Sequence, residues 1–257
     1  MTVELTRHEE FAVLTLNRPE AHNALNAKTI AEISEAIDQV ALATDVRALI
    51  ITGAGEKAFC AGADIKEMLG IDPGAKRRKA ELGQATFAKL DKLKVPSIAL
   101  INGYAFGGGL ELALAATFRL ATPNASMALP EIKLGLMPGY GGTQRLPRVI
   151  GEAKALEMIL SGKIVGAEEA VECGLVSRIV ETETRLADAI EFGRQFTGYS
   201  LAALLHAREA VKRALAQPLH EGLKTEADLS TLAFQSKDAQ EGMTAFVEKR
   251  APKFVDA

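Results

Sequence analysis

Two glutamates, Glu111 and Glu131, stand in segments that are otherwise glycine-rich and apolar. Glu111 ends the run Asn102-Gly103-Tyr104-Ala105-Phe106-Gly107-Gly108-Gly109-Leu110-Glu111. Glu131 opens a second such segment, from Pro130 through Gly135, Gly139, Gly141 and Gly142 to Leu146. A carboxyl drawn partly out of water keeps its proton to higher pH, so two of them in one cleft form a candidate acid–base pair. Either glutamate alone reads as a surface carboxylate. The three glycines 107–109 follow an apolar run and open a helical segment near Leu110. Such a turn exposes backbone N–H groups at the positive end of a helix, where an anion or a developing oxyanion can sit. It reads equally as a tight strand-to-helix turn with no ligand. No Lys-Ser or Lys-Thr pair closes it, so it is not a P-loop. A further small-residue loop runs from Gly53 to Asp64. Its start matches the alanine form of a dinucleotide fingerprint, but residues 59–64 lack a helical pattern and no acid-ended strand follows. We read it as a second loop lending an N–H to the same site.

The elements around these loops follow from periodicity. Eight of the 22 glycines fall between 103 and 142, a stretch of 40 among 257 residues, where the backbone must turn tightly or approach a ligand. The pattern predicts strands over 11–17, 46–52, 97–101 and 118–121. It predicts helices over 27–42, 110–116 and 152–160, then over 183–195, 201–216, 219–235 and 238–249. The chain therefore reads as an α/β body followed by a helical tail, with no clean linker between them.

Composition narrows the classes. Thirty basic against 33 acidic side chains leave a net charge of −3, which argues against a dedicated nucleic-acid binder. The 48% hydrophobic content is that of a globular protein, not a disordered one. Two cysteines, Cys60 and Cys173, make neither a disulfide framework nor a zinc site, and the four histidines lack metal-ligand spacing. No metal is expected. Neither a leader nor a spanning segment is visible, which reads as a cytoplasmic protein without a membrane partner.

Taken together, the segments resemble the crotonase (enoyl-CoA hydratase/isomerase) superfamily, and short-chain enoyl-CoA hydratases within it. The resemblance runs through Leu16-Asn17-Arg18-Pro19, Asn23-Ala24-Leu25, FCAGADIKEM (59–68), the stretches at 102–112 and 130–146, and the tail at 241–250. It implies an α/β crotonase fold, a spiral of ββα units, with residues 1–195 as the core holding the active site. Residues 196–257 would form a helical region that drives a homotrimer or homohexamer.

The resemblance also implies roles. The backbone N–H groups of Ala63 and Gly108 would hold the thioester oxygen. Glu111 would deprotonate a water, and Glu131 would protonate C2, in a reversible syn addition to a short trans-2-enoyl-CoA. Ala61, Asp64, Ile65, Lys66, Gly107, Pro130 and Gly139 would bind substrate. Phe246 and Lys249 would reach the CoA of a neighbouring subunit, although Phe246 reads equally as hydrophobic fill. CoA arrives as part of the acyl-CoA substrate, so no separate cofactor is expected. Met127 stands where the family often has Phe and would alter the acyl pocket, whose wall is expected from residues around 66–90 and 127–140. The basic run Lys76-Arg77-Arg78-Lys79 reads as a solvated helix start, or as a phosphate or RNA contact. A Δ3-Δ2-enoyl-CoA isomerase and an RNA-binding crotonase-fold protein are the alternatives; the glutamate pair and the net charge favour the hydratase.

Overall fold

Apolar, β-branched runs without helical spacing become strands buried on both faces. The computed structural model describes residues 1–256. Val3–His8 (β1) and Phe11–Leu16 (β2) form an antiparallel hairpin. The next element, Ala27–Leu42 (α1), is capped by Asn26, whose side chain accepts from the Thr29 N–H at 2.8 Å. Its Ile30, Ile33, Ile37 and Val40 are all buried, the stripe that their spacing predicts.

From here one pattern repeats: a strand in a large sheet, a short strand in a small sheet, and a helix. Ala48–Gly53 (β3) and Ala58–Cys60 (β4) precede Pro73–Lys92 (α2). Ser97–Ile101 (β5) and Tyr104–Phe106 (β6) precede Gly108–Ala115 (α3). Phe118–Ala121 (β7) and Ser126–Ala128 (β8) precede Gly142–Ile150 (α4) and Glu152–Ser161 (α5). Val165–Gly166 (β9), Ala167–Glu172 (α6) and Arg178–Ile179 (β10) complete the body.

The large sheet has the order β1-β2-β3-β5-β7-β10 and the small one β4-β6-β8-β9. Only β1–β2 and β8–β9 pair antiparallel; the other ladders are parallel. Because successive strands alternate between the sheets, the chain advances as a spiral. The segments that leave the small-sheet strands β4, β6 and β8 for the helices carry Gly62, Gly107 and the run from Gly135 to Gly142.

Four helices follow: Arg185–Thr197 (α7), Leu201–Arg213 (α8), Leu219–Phe234 (α9) and Lys237–Glu248 (α10). α7 covers the outer face of the large sheet, where Ala189 and Phe192 pack with Phe11, Val13, Ile50, Ile98 and Leu120. A side chain at Gly193 would meet the Phe11 ring at 2.4 Å, so only glycine lets α7 approach this closely. α8 is tied to the body by the Arg208 guanidinium, which donates to the Val95 carbonyl at 2.8 Å. α9 buries no residue and leaves Leu219, Leu223, Leu232 and Phe234 more than half exposed. Among the described residues, no helix is long and apolar enough to cross a membrane.

The long strands and helices match the expected ranges to within about three residues. Several elements exceed the expectation, among them β1, α4 and α6. β4, β6 and β8 are three residues each, too short to show alternation. α2 spans 20 residues but buries only Gly83, Thr86, Phe87 and Leu90, so its apolar stripe is sparse.

Candidate active site

α3 is the centre of the site. All eight of its residues are buried, and Glu111 is its only ionisable one. A carboxyl placed there must find donors or hold its proton. It does both. Glu111 Oε1 accepts the Tyr140 N–H at 2.7 Å and the Gly142 N–H at 2.8 Å. Both donors come from the glycine turn that leads into α4. A side chain at Gly142 would crowd Leu129 at 2.9 Å and Glu111 Oε1 at 3.1 Å, so glycine is what lets the backbone reach the carboxyl. Burial pushes the Glu111 pKa up; the Gly142 and Tyr140 N–H groups and the Lys76 ammonium oppose the rise.

Glu131 sits in a short 3-10 turn, Pro130–Leu134, closed by Gly135 in the left-handed region at φ 69°. Its Oε1 lies 2.9 Å from where a Gly107 side chain would begin. Gly107 itself has φ 51° and ψ −123°, a backbone state that only glycine adopts without strain. Glu131 Oε2 is buried and, among the described residues, accepts no hydrogen bond. Burial first, and the Glu111 charge with it, raise the Glu131 pKa to about 7. Lys76, half-buried on α2, faces both carboxyls and pulls the other way.

Two N–H groups complete the arrangement. Leu25 and Ala63 form an isolated parallel bridge, with Leu25 N donating to Gly62 O at 2.8 Å and Asp64 N to Leu25 O at 2.9 Å. In such a bridge the intervening Ala63 N–H points away from its partner strand. Gly108 supplies the first N–H of α3, which has no intrahelical acceptor. The two segments touch: a side chain at Gly62, where φ is 96°, would lie 2.7 Å from Phe106 O and 3.3 Å from Gly108 N.

Both carboxyls and both segments line one cleft of about 150 Å³. Of the expected substrate contacts, Ala61, Ile65, Gly107, Pro130 and Gly139 line it as well. Four do not. The Asp64 carboxylate accepts the Lys66 N–H at 3.2 Å and pairs with Arg18 at 3.4 Å, so it braces the loop. Lys66 is exposed beside it. Phe246, 85% exposed, and Lys249 lie at the end of α10 outside the cleft of their own chain. Met127 is also displaced from its expected role. It is fully buried in the core on β8 and does not reach the cleft wall.

Leu134, Leu136, Met137, Met68 and Tyr140 form the apolar wall, all within the stretches 66–90 and 127–140 where it was expected. Leu134 and Met137 are 60% and 67% exposed; large apolar residues in a turn beside an acid were the available signal for them. The basic run divides. Lys76 lines the cleft, Arg77 pairs with Glu81 at 2.8 Å, and Lys79 bonds Glu67 at 3.1 Å. Neighbours on a helix point in different directions, so the run presents no single basic face to a nucleic acid. Among the described residues, no group of three or more His, Cys, Asp or Glu side chains could hold a metal ion.

The sequence profile of the enoyl-CoA hydratase/isomerase family matches residues 6–257. The chain belongs to that family. A probable enoyl-CoA hydratase of Mycobacterium tuberculosis is 44% identical over 253 residues, covering 98% of this chain and 97% of that protein. A crotonyl-CoA hydratase of Syntrophomonas wolfei is 39% identical over 251 residues, covering 98% and 96%. The crystal structure of an enoyl-CoA hydratase from Bacillus anthracis superposes with a TM-score of 0.94 at 37% identity, covering 100% of each chain. The spiral of ββα units with its helical tail is thus the crotonase fold, and the chain is an enzyme of the enoyl-CoA hydratase/isomerase kind. Enzymes of this family act on acyl-CoA thioesters, and the cleft just described is where this member brings two carboxyls together.

Proposed function

We propose that this enzyme adds water reversibly across the C2=C3 bond of short trans-2-enoyl-CoA thioesters, giving 3-hydroxyacyl-CoA. The observation that carries this reading is the contrast between the two carboxyls. Glu111 has two N–H donors and faces a cation, an environment that suits a base. Glu131 has a buried oxygen without a donor and a pKa of about 7, which suits an acid.

The thioester oxygen takes the Ala63 and Gly108 N–H groups. Charge drawn to that oxygen makes C3 electrophilic. A water on Glu111 attacks C3 and gives its proton to the carboxylate. The enolate that forms takes a proton at C2 from Glu131. Proton transfer between the two carboxyls then restores the starting state, and the net change is one water added. CoA enters with the substrate, so the scheme uses no separate cofactor. The names of relatives support a short acyl group: one is a crotonyl-CoA hydratase, and another, 38% identical over 248 residues, is a short-chain-enoyl-CoA hydratase of Clostridium acetobutylicum. The direct test is loss of the conjugated-thioester absorbance of crotonyl-CoA with 3-hydroxybutanoyl-CoA as product. No turnover by the folded enzyme, with turnover of a 3-enoyl-CoA, would replace the hydratase with an isomerase.

Lys76→Met makes a pH prediction. Removing the ammonium removes a charge that holds both carboxyl pKa values down. Glu131 then keeps its proton to higher pH, and the alkaline limb of kcat/KM moves up from about 7. A limb that stays in place would show that Lys76 does not act on the pair.

We further propose a homotrimer or homohexamer, supported by the apolar side chains that α9 and α10 leave uncovered, among them Leu219, Phe234 and Phe246. Phe246 and Lys249 would then meet the CoA held by a neighbouring copy. Sedimentation at micromolar concentration is expected to give a species of three or six chains; a monomer would contradict this.

A further inference from the structure

The ring of Tyr140 has no part in the chemistry above, yet it stands between two hollows. One is the catalytic cleft. The other is a cavity of about 30 Å³ with Leu25, Ile30 and Leu82 on its apolar side and Asn26, Asp64 and the Glu67–Lys79 pair on its polar side. Tyr140 lines both, together with the smaller Ala63 and Met68. α2 is shaped to take the ring. A side chain at Gly83 would meet Tyr140 Cδ1 at 2.4 Å and Cε1 at 2.6 Å, so the ring fills the space that glycine leaves. Phe87, fully buried, meets it edge-on at 5.7 Å between centroids and 86° between planes. On the other side, a side chain at Gly108 would lie 3.1 Å from Tyr140 Cδ2. The ring is therefore clamped between α2 and the first turn of α3, beside the N–H group that takes the thioester oxygen.

We propose that Tyr140 is the stop of the acyl channel: its ring divides the catalytic cleft from the cavity at Leu25, Ile30 and Leu82 and confines the enzyme to short acyl groups. This rests on the enoyl-CoA reading of the cleft. With the oxygen on Ala63 and Gly108 and C2–C3 at the carboxyls, the carbons beyond C3 run against the clamped ring. Leu82, 51% exposed, marks where the second cavity reaches the surface. Without the ring, cleft and cavity join as an open-ended channel. The stop is steric, so a phenylalanine keeps it and an alanine removes it.

The test is calorimetric binding of saturated acyl-CoAs, butanoyl to decanoyl, to the full-length enzyme and to Tyr140→Phe, Tyr140→Ala and Tyr140→Leu. Saturated thioesters cannot be hydrated, so affinity reads the channel independently of the reaction. In the wild type and Tyr140→Phe, affinity is expected to stop rising beyond about six carbons. In Tyr140→Ala it is expected to keep rising, by up to about fourfold per buried methylene, and by at least about tenfold between butanoyl and decanoyl. Should Tyr140→Ala fail to fold, Tyr140→Leu gives the same trend at smaller amplitude. A folded alanine or leucine variant with the wild-type decanoyl-to-butanoyl ratio overturns the proposal. A wild type that binds acyl-CoA without hydrating crotonyl-CoA would sink the hydratase reading and leave the stop to be judged on that ratio alone. Gly83→Ala adds a check on the packing. It should lower the thermal midpoint of the wild type and leave that of Tyr140→Ala unchanged or higher, since alanine favours the helix once the ring is gone. Equal loss in both backgrounds would show that the ring does not occupy that space.

Discussion

Glu131→Gln is expected to lower kcat for crotonyl-CoA hydration by on the order of 10² to 10⁴, the usual contribution of a positioned proton donor. The amide keeps the shape of the side chain but has no acidic proton for C2. Binding of the substrate should change far less than turnover, because the oxygen seat on Ala63 and Gly108 is untouched. The wild type should lose kcat/KM as pH rises through about 7, where Glu131 gives up its proton. The same proton links to stability. An unfolded glutamate titrates near 4.5, and the folded Glu131 at about 7, so the folded state binds the proton more tightly. The stability this contributes is full below about 4.5 and is lost as pH rises through 7. Glu131→Gln removes that loss. Its thermal midpoint should gain on the wild type between about pH 5 and pH 8 while its activity collapses. Rapid turnover in this variant would remove Glu131 from the chemistry.

The second large effect belongs to Glu111, where two substitutions separate chemistry from structure. Glu111→Gln retains an oxygen that can accept the Tyr140 and Gly142 N–H groups, but loses the basicity that activates water. It should fold and should lose on the order of 10² to 10⁴ in kcat. Glu111→Ala removes the acceptor itself. Two buried N–H groups are then orphaned, at a cost on the order of 1–3 kcal/mol each. The alanine variant should therefore be inactive and also melt measurably earlier than the glutamine variant. Equal thermal midpoints would mean that the glycine turn finds other partners for its donors. Activity retained in Glu111→Gln would assign the base elsewhere.

Much of this site was legible in the chain before its fold was known, for a physical reason. An acid in an apolar, glycine-rich segment is costly to bury and needs a compensating use, which makes Glu111 and Glu131 together a candidate pair, although each alone reads as a surface carboxylate and the resemblance supplied their roles. Glycines 107–109 announce a helix start with open N–H groups. The ββα spiral was legible only through the resemblance, since strands of three residues such as β4, β6 and β8 carry no period of their own. Backbone donors were hidden too. Any residue at 140 would supply an N–H, so the bond from Tyr140 to Glu111 leaves no mark on residue type. Lys76 was visible only as one of four basic residues; the turn of α2 decides that it, and not Arg77, faces the carboxyls. The bracing of the loop by Asp64, whose carboxylate meets Arg18 and the Lys66 N–H, left no mark on residue type either.

Water addition by the two carboxyls places the oxygen of water on C3. Crotonyl-CoA should be incubated with the enzyme in ¹⁸O-labelled water and the product followed by mass spectrometry. One ¹⁸O atom in the acyl chain of 3-hydroxybutanoyl-CoA, formed at a rate that falls in Glu111→Gln and Glu131→Gln alike, is the predicted result. A product without ¹⁸O, or labelling that proceeds undiminished in either variant, would contradict it.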